Sequence, residues 1–355
     1  MVDTIRIGLI GAGGVVESRH LPGLSDVPGV ALTRVWSRRR KNARSLAAAH
    51  DIGAVAKDWR EVIDADDVDA VIVATPPVLH AEASIAALEA GKHVLCQGRM
   101  ARNLLEARQM VAAAQRAAGL VAALYPPRPG LKGDRVIRRL LREGRFVGEI
   151  EEVRVASMVR LDPPDQYRWV DDPECVGVNA MALGLWCEVL NRWVGPAERL
   201  AAFAGLHASG RFTEAGEAAP SRVPSSLTVT AELEGGARAS YHFSTVASHG
   251  PGNSIAIYGA RGALVYEMFT DELRGSTEGD DGLRVIDIPA DDVRLHTTDA
   301  EFVSAIREGT PVSPDFEEGE RYMSFCEAVA LSSHSGETVD VTDLEPTMRS
   351  WGELL

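Results

Sequence analysis

The chain has 355 residues, 45% of them hydrophobic, which is enough apolar material for two cores and makes two domains the natural expectation. Its formal net charge of -14 at pH 7 argues against a nucleic-acid partner and against an anionic membrane surface. No apolar stretch reaches the roughly 18 residues of a spanning helix, and no basic region or cleavage signal opens the chain, so a cytoplasmic location is expected.

The four cysteines, Cys96, Cys175, Cys187 and Cys326, form no C-x-x-C and have no flanking histidine pattern, so neither a zinc site nor a disulfide framework is expected. His242 and His249 lack a carboxylate or cysteine at ligand spacing, and the expectation for metal is none.

Taken in order, Ile5 to Val16 reads IRIGLIGAGGVV: an apolar β-branched run, a glycine-rich turn, then a helix-permissive segment from Val15 to Leu24. Gly11 and Gly13 lack a Cβ, so the turn can adopt positive φ and let a pyrophosphate approach the backbone, with a helix N-terminus supplying N–H groups. Gly14, Val15 and Val16 complete this candidate cradle, although Val16 stands where G-x-G-x-x-G has its third glycine. Such a turn alone fits an ordinary βα connection as well as a dinucleotide site.

Val30 to Trp36 predicts a second strand, and it ends in Ser37, Arg38, Arg39, Arg40 and Lys41 rather than in an acid. A carboxylate at this position accepts from an adenosine ribose, whereas Ser37, Arg38 and Lys41 suit a 2′-phosphate. NADP is therefore expected ahead of NAD, which stays open, and a solvated basic helix start is the plainer alternative.

A helix over Asn42 to His50 follows, then an almost wholly apolar strand, Val68 to Ala74, broken at Thr75-Pro76-Pro77. Ala74, Thr75 and Pro76 thus lie at a strand's carboxyl end, where open α/β sheets bind ligands. His80, at the start of the helix Ala81 to Ala90, either contacts the cofactor or serves locally. The strand His93 to Cys96 runs into Gln97-Gly98-Arg99-Met100, the helix Ala101 to Ala118 follows, and the strand Leu120 to Leu124 closes at Tyr125. This alternation predicts a doubly wound parallel sheet.

From Glu149 onward the pattern changes to alternating polarity with glycine-rich turns, which predicts an antiparallel sheet with one covered face. Ser209 to Ser226 reads as an exposed loop, and helices are expected over Asp299 to Glu308 and Phe316 to Ser333.

The segments GLIGAG, ATPPVLHAEASIAALEAGKHVLC, GRFVGEI, WVDDPECVG and PVSPDFEEGERYMSFCEAV occur in the order seen in the glucose-fructose oxidoreductase, inositol dehydrogenase and MocA (Gfo/Idh/MocA) family, which the chain resembles over nearly its whole length. The resemblance implies an α/β fold: a Rossmann dinucleotide-binding domain over 1–124, then an α+β domain over 125–355 with a large, mostly antiparallel open sheet. It also implies an NAD(P)-dependent oxidoreductase acting on a small polar, sugar-derived metabolite, a homodimer or homotetramer built through the sheet, and a cofactor contact at Gln97.

Members that oxidise sugars or inositols carry Glu-Lys-Pro where this chain has Gln97-Gly98-Arg99. Arginine is a poor proton shuttle near neutrality and a good anion clamp. The family's Asp-x-x-x-His, aligned on Gly184, falls on Ala182 and Trp186, with Glu188 one turn on. Losing a general acid or base costs about 10² to 10⁴ in rate.

Two readings follow. In one, the site is rebuilt for reduction of an activated carbonyl or imine, with Arg99, Tyr125 and Asn179 as catalytic candidates and Arg128, Lys132, Tyr167, Arg168 and Trp186 as substrate contacts. In the other, the chain binds a dinucleotide without turnover, as a regulator. Each candidate also has a plain alternative. Trp186 and Trp193 suit a core face, and Tyr125 can stack beneath the proline-rich linker. Arg128 and Lys132 belong to a basic run with Arg135, Arg138 and Arg139, and a buried Asn179 needs partners.

Overall fold

In a computed structural model of the protein, the described residues are 4–126, 131–160, 166–207, 210–294 and 297–354, so the candidate Arg128 lies outside them. The chain divides into two compact units, Met1–Pro129 with His296–Glu320 and Gly130–Leu295 with Arg321–Leu355.

The first unit is built on six parallel strands: β1 (Ile5–Ile10), β2 (Val30–Trp36), β3 (Ala54–Val55), β4 (Ala70–Val73), β5 (His93–Gln97) and β6 (Ala122–Tyr125). Their order is β3-β2-β1-β4-β5-β6, so the direction of winding reverses beside β1, where doubly wound sheets open a ligand crevice. β4 is buried at every position, as its unbroken Ala-Val-Ile-Val sequence requires of a central strand covered on both faces.

Helices α1 (Leu21–Ser25), α2 (Arg40–Ala49), α3 (Arg60–Ile63), α4 (His80–Glu89) and α5 (Leu104–Arg116) connect the strands. The helix expected from Ala101 starts only at Leu104, because the Asn103 carboxamide accepts from the Glu106 N–H at 2.9 Å and caps it. Helix Thr298–Glu308 also belongs to this unit: Phe302 and Val303 are buried in the same core as Ile7, Leu9, Leu24 and Tyr125. The expected second domain, running unbroken from 125 to 355, therefore differs from the observed division. The apolar face of this helix finds its core with the opening βα unit.

The second unit carries β7 (Ile150–Met158), β8 (Ala197–Gly205), β9 (Ser226–Leu233), β10 (Arg238–Ser244), β11 (Gly252–Gly259), β12 (Gly262–Glu267), β13 (Glu272–Thr277), β14 (Arg284–Val285) and β15 (Val339–Asp340). They form one sheet of order β14-β13-β12-β11-β7-β10-β9-β8-β15, antiparallel throughout except where β7 pairs with β10. Burial alternates along β9 and β10, so one face of the sheet is covered. Helices α6 (Asp134–Arg142), α7 (Pro173–Val176) and α8 (Leu183–Val194) belong to this unit, and α8 buries most of its residues. The expected exposed loop is partly internal: Arg211, Ser221, Val223 and Ser225 are buried, Arg211 by pairing with Asp171 at 3.3 Å.

Candidate functional site

The turn after β1 divides its glycines between two jobs. Gly11 takes φ +125°, its N–H donates to the Trp36 carbonyl at 2.8 Å, and a Cβ placed on it would lie 2.3 Å from the Ala74 oxygen. Gly11 is thus required where the ends of β1, β2 and β4 converge. Positive φ falls on Gly11 and not on Gly13. A Cβ on Gly13 or Gly14 would meet nothing within 4 Å, and both residues are exposed beside Val15, which is 40% exposed. The result is a bare backbone shelf at the carboxyl edge of the sheet, which fits a pyrophosphate that must approach main-chain atoms. Val16 fills the place of the missing third glycine without leaving the core. It is fully buried, and the chain from Val16 to His20 winds as a wider π-helical turn before α1.

Beside this shelf, Ser37 is half-buried at the end of β2, while Arg38, Arg40 and Lys41 are exposed around the start of α2. On the other side of β1, Ala74 donates to the Ile10 carbonyl at 2.8 Å, and Thr75 and Pro76 follow half-buried. The His80 ring is 1% exposed, with Nδ1 2.8 Å from the Arg99 carbonyl and Nε2 2.6 Å from the Thr75 carbonyl. It therefore braces the two strand-end turns instead of reaching outward to a ligand. Burial pulls its pKa below the ordinary value, with the facing carbonyls opposing. Arg99 and Gln97 are half-buried at the end of β5.

Tyr125 ends β6 fully buried, its ring centroid 4.2 Å from that of His20. Burial, and then the charge of Asp299, push its phenol above the usual range, which makes it a weak acid at neutral pH. His20 and Asp299 are fully buried, and neither was singled out by the sequence reading. His20 Nδ1 lies 2.7 Å from Asp299 Oδ1, and Nε2 lies 2.9 Å from Gln97 Oε1. The only sequence signal for this cluster is a histidine on the helix of the glycine turn, because its carboxylate partner is 279 positions away.

In the second unit, Lys132 is exposed and its N–H donates to Asp271 at 3.1 Å. Tyr167 and Arg168 are half-buried. The Arg168 N–H donates to Asp171 at 3.0 Å, and burial with the nearby Asp172 and Asp171 charges raises the Tyr167 phenol. Asn179 is fully buried, and its oxygen accepts from the Gly184 N–H at 3.0 Å, so the amide finds its partner inside the chain. Between them, Met181 and Ala182 take positive φ, 49° and 56°, a costly conformation for residues with a Cβ. Trp186 is 4% exposed and packs edge-on against Phe243 at 5.9 Å, which is the core role. Glu188 pairs with Arg192 at 3.0 Å inside a buried network that also includes Asp134.

Residues 5–125 match a family described as an oxidoreductase family with an NAD-binding Rossmann fold, and residues 135–265 match the GFO/IDH/MocA C-terminal domain. Levoglucosan dehydrogenase of Pseudarthrobacter phenanthrenivorans is 26% identical, the match covering 97% of this chain and 100% of that one. The 1,5-anhydro-D-fructose reductase of Ensifer adhaerens is 34% identical over 48% of this chain and 51% of its own length. The scyllo-inositol 2-dehydrogenase (NADP(+)) of Bacillus subtilis is 35% identical over 31% of this chain and 34% of its own. The chain thus spans about a third to a half of the first curated relatives it matches. A structure of levoglucosan dehydrogenase with NADH and levoglucosan superposes with a TM-score of 0.85 at 22% identity, covering 96% of this chain and 100% of that one, a likeness of fold. With both of its domains matched in order, the chain belongs to the Gfo/Idh/MocA family of oxidoreductases.

Proposed function

We propose that the chain is an NADP-dependent oxidoreductase acting on a small polar, sugar-derived carbonyl or hydroxyl compound. The observation that carries this reading is the bare Gly13–Gly14 shelf flanked by Ser37, Arg38 and Lys41 in place of an acid. When bound, the cofactor supplies or accepts a hydride at its nicotinamide ring. Gly11, Gly13 and Gly14 let the pyrophosphate approach the backbone, with Val15 and Val16 opening the helix behind it. Ser37, Arg38 and Lys41 hold the 2′-phosphate by hydrogen bonding and charge. Ala74, Thr75 and Pro76 line the strand end beyond the crevice, Gln97 meets the nicotinamide half, and Arg99 presents a fixed positive charge to an anionic or strongly polar substrate group.

The names of the relatives support the substrate class. Levoglucosan dehydrogenase, an anhydrofructose reductase and an inositol dehydrogenase all act on sugars or cyclic polyols. With glycine at the family's lysine position, proton handling falls to groups other than an amine, and reduction of an activated carbonyl demands the least of them. The family's open sheet suggests a homodimer or homotetramer, for which the exposed Phe203 and Tyr258 on β8 and β11 are candidate contacts.

The test is a titration of NADPH and NADH followed by tryptophan fluorescence, then a screen of levoglucosan, inositols and ketosugars for absorbance change at the nicotinamide band. Tight NADPH binding with turnover on a member of this set supports the reading. Tight binding without any turnover favours the regulator instead, and failure to bind either dinucleotide overturns both.

A further inference from the structure

We infer that His20 and Asp299 form a buried positioning pair that sets the carboxamide of Gln97, so that its NH₂ group is presented at the strand edge as a hydrogen-bond donor to the nicotinamide half of the cofactor. This rests on the cofactor reading above and adds to it two residues that touch no ligand themselves.

The argument starts from the acceptors. Asp299 Oδ1 lies 2.7 Å from His20 Nδ1, and Gln97 Oε1 lies 2.9 Å from His20 Nε2. A carboxylate oxygen accepts and does not donate, so the Nδ1–H of His20 donates to Asp299, and its Nε2 faces the carboxamide oxygen of Gln97. A fully buried imidazole ring needs a partner for each nitrogen, and Asp299 and Gln97 supply them. The carboxylate sits in the first turn of the helix Thr298–Glu308, where the helix dipole favours a negative group.

Two further features hold the pair in register. The Tyr125 ring lies against that of His20 at 4.2 Å, which limits rotation of the imidazole. Gly23 leaves the room that Asp299 occupies, since a Cβ there would fall 2.5 Å from Oδ2. Oδ2 itself has no hydrogen-bond partner among the described residues, so the contact of Oδ1 with His20 is what orients the carboxylate. Fixing Gln97 Oε1 on His20 turns its NH₂ away from the dyad, and Gln97 is half-buried at the last position of β5. β5 is two strands from β1, on the side opposite β2. At about 4.8 Å per strand that places Gln97 about 10 Å from the glycine turn, on the nicotinamide side of a dinucleotide whose ribose phosphate lies at β2.

The test compares two ligands in each variant: NADPH, and 2′-phospho-ADP-ribose, which lacks the nicotinamide. Gln97→Leu and Gln97→Glu, the latter keeping an acceptor for His20 and losing the outward donor, should each weaken NADPH about tenfold while leaving 2′-phospho-ADP-ribose unchanged. His20→Leu should show the same split, and the double variant His20→Leu, Gln97→Leu should lose no more than either single one. Asp299→Asn, which keeps the size of the carboxylate, decides the matter if His20→Leu does not fold, and should show the split to a smaller degree.

The proposal is overturned by wild-type NADPH affinity in Gln97→Glu, by wild-type NADPH affinity in a folded His20→Leu or Asp299→Asn, by equal losses on both ligands, or by additive losses in the double variant. A wild-type protein that binds neither ligand overturns the cofactor reading itself, which distinguishes that failure from this one.

Discussion

The backbone of Gly11 passes so close to Ala74 that a Cβ on the glycine would lie 2.3 Å from the alanine carbonyl oxygen, and this contact ties the ends of β1 and β4 at the point where the sheet reverses its winding. Gly13, two residues on, has open space where its Cβ would be. Gly11→Ala should destabilise the fold by about 3 kcal/mol, combining a disfavoured φ with a backbone clash. Gly13→Ala should leave the urea midpoint within about 0.5 kcal/mol of wild type and instead weaken dinucleotide binding. Urea denaturation and fluorescence titration of the two variants separate the structural glycine from the ligand-facing one.

Gly23→Ala sets two effects against each other. In a helix such as α1 the change ordinarily stabilises by about 0.5 to 1 kcal/mol. Here the new methyl meets Asp299 at 2.5 Å from Oδ2 and 3.1 Å from Cβ, so a fully buried carboxylate held by His20 must shift to admit it. Overpacking of this kind costs about 1 to 3 kcal/mol, so the clash wins and the melting temperature should fall.

Acid should destabilise the first unit through two histidines. Burial lowers the pKa of both His80 and His93 from the ordinary 6.5. His93 Nδ1 accepts from the Val121 N–H at 2.9 Å, a bond that protonation removes. Because the unfolded chain takes up these protons at higher pH than the folded one, stability is full above about pH 6.5. It falls as pH drops toward the folded pKa values, by at most about 1.4 kcal/mol per pH unit for each histidine. Thermal melts from pH 8 to pH 5 should show the decline, and His93→Gln should flatten it.

Asp134 is the hub of a buried network: it pairs with Arg192 at 2.6 Å and Arg294 at 3.3 Å, and accepts from Trp193 Nε1 at 2.8 Å. Asp134→Ala should cost about 3 kcal/mol in urea, because the buried Arg192 keeps only Glu188 while Arg294 and the Trp193 Nε1–H lose their acceptor. Asp134→Asn keeps an acceptor for the tryptophan and should cost less.

Five of the six parallel strands were legible because apolar runs, turns and helices repeat from Ile5 to Tyr125, each interval local in sequence; the edge strand β3, two residues long, is too short to leave a pattern. The basic end of β2 was legible for the same reason: Ser37 to Lys41 is one contiguous stretch. The His20–Asp299 pair was not legible, since nothing local marks a carboxylate 279 positions away as its partner. Tyr125, Asn179 and Trp186 were readable as residues with chemistry, but their burial depends on tertiary packing that a periodic pattern does not report. The polar segment after Ser209 misled for the converse reason. Arg211 and Ser221 go inside because Asp171 supplies an ion pair to the first and a carbonyl for the hydroxyl of the second, while Arg222 stays exposed.

The most direct test of the account is the ratio of NADPH to NADH dissociation constants in the wild type and in Ser37→Asp, Arg38→Ala. The wild type should prefer NADPH, and the double variant should weaken NADPH at least tenfold while holding or improving NADH, because a carboxylate repels the 2′-phosphate and accepts from a free ribose hydroxyl. An unchanged NADPH affinity in the double variant would contradict the assignment of this strand end to the 2′-phosphate.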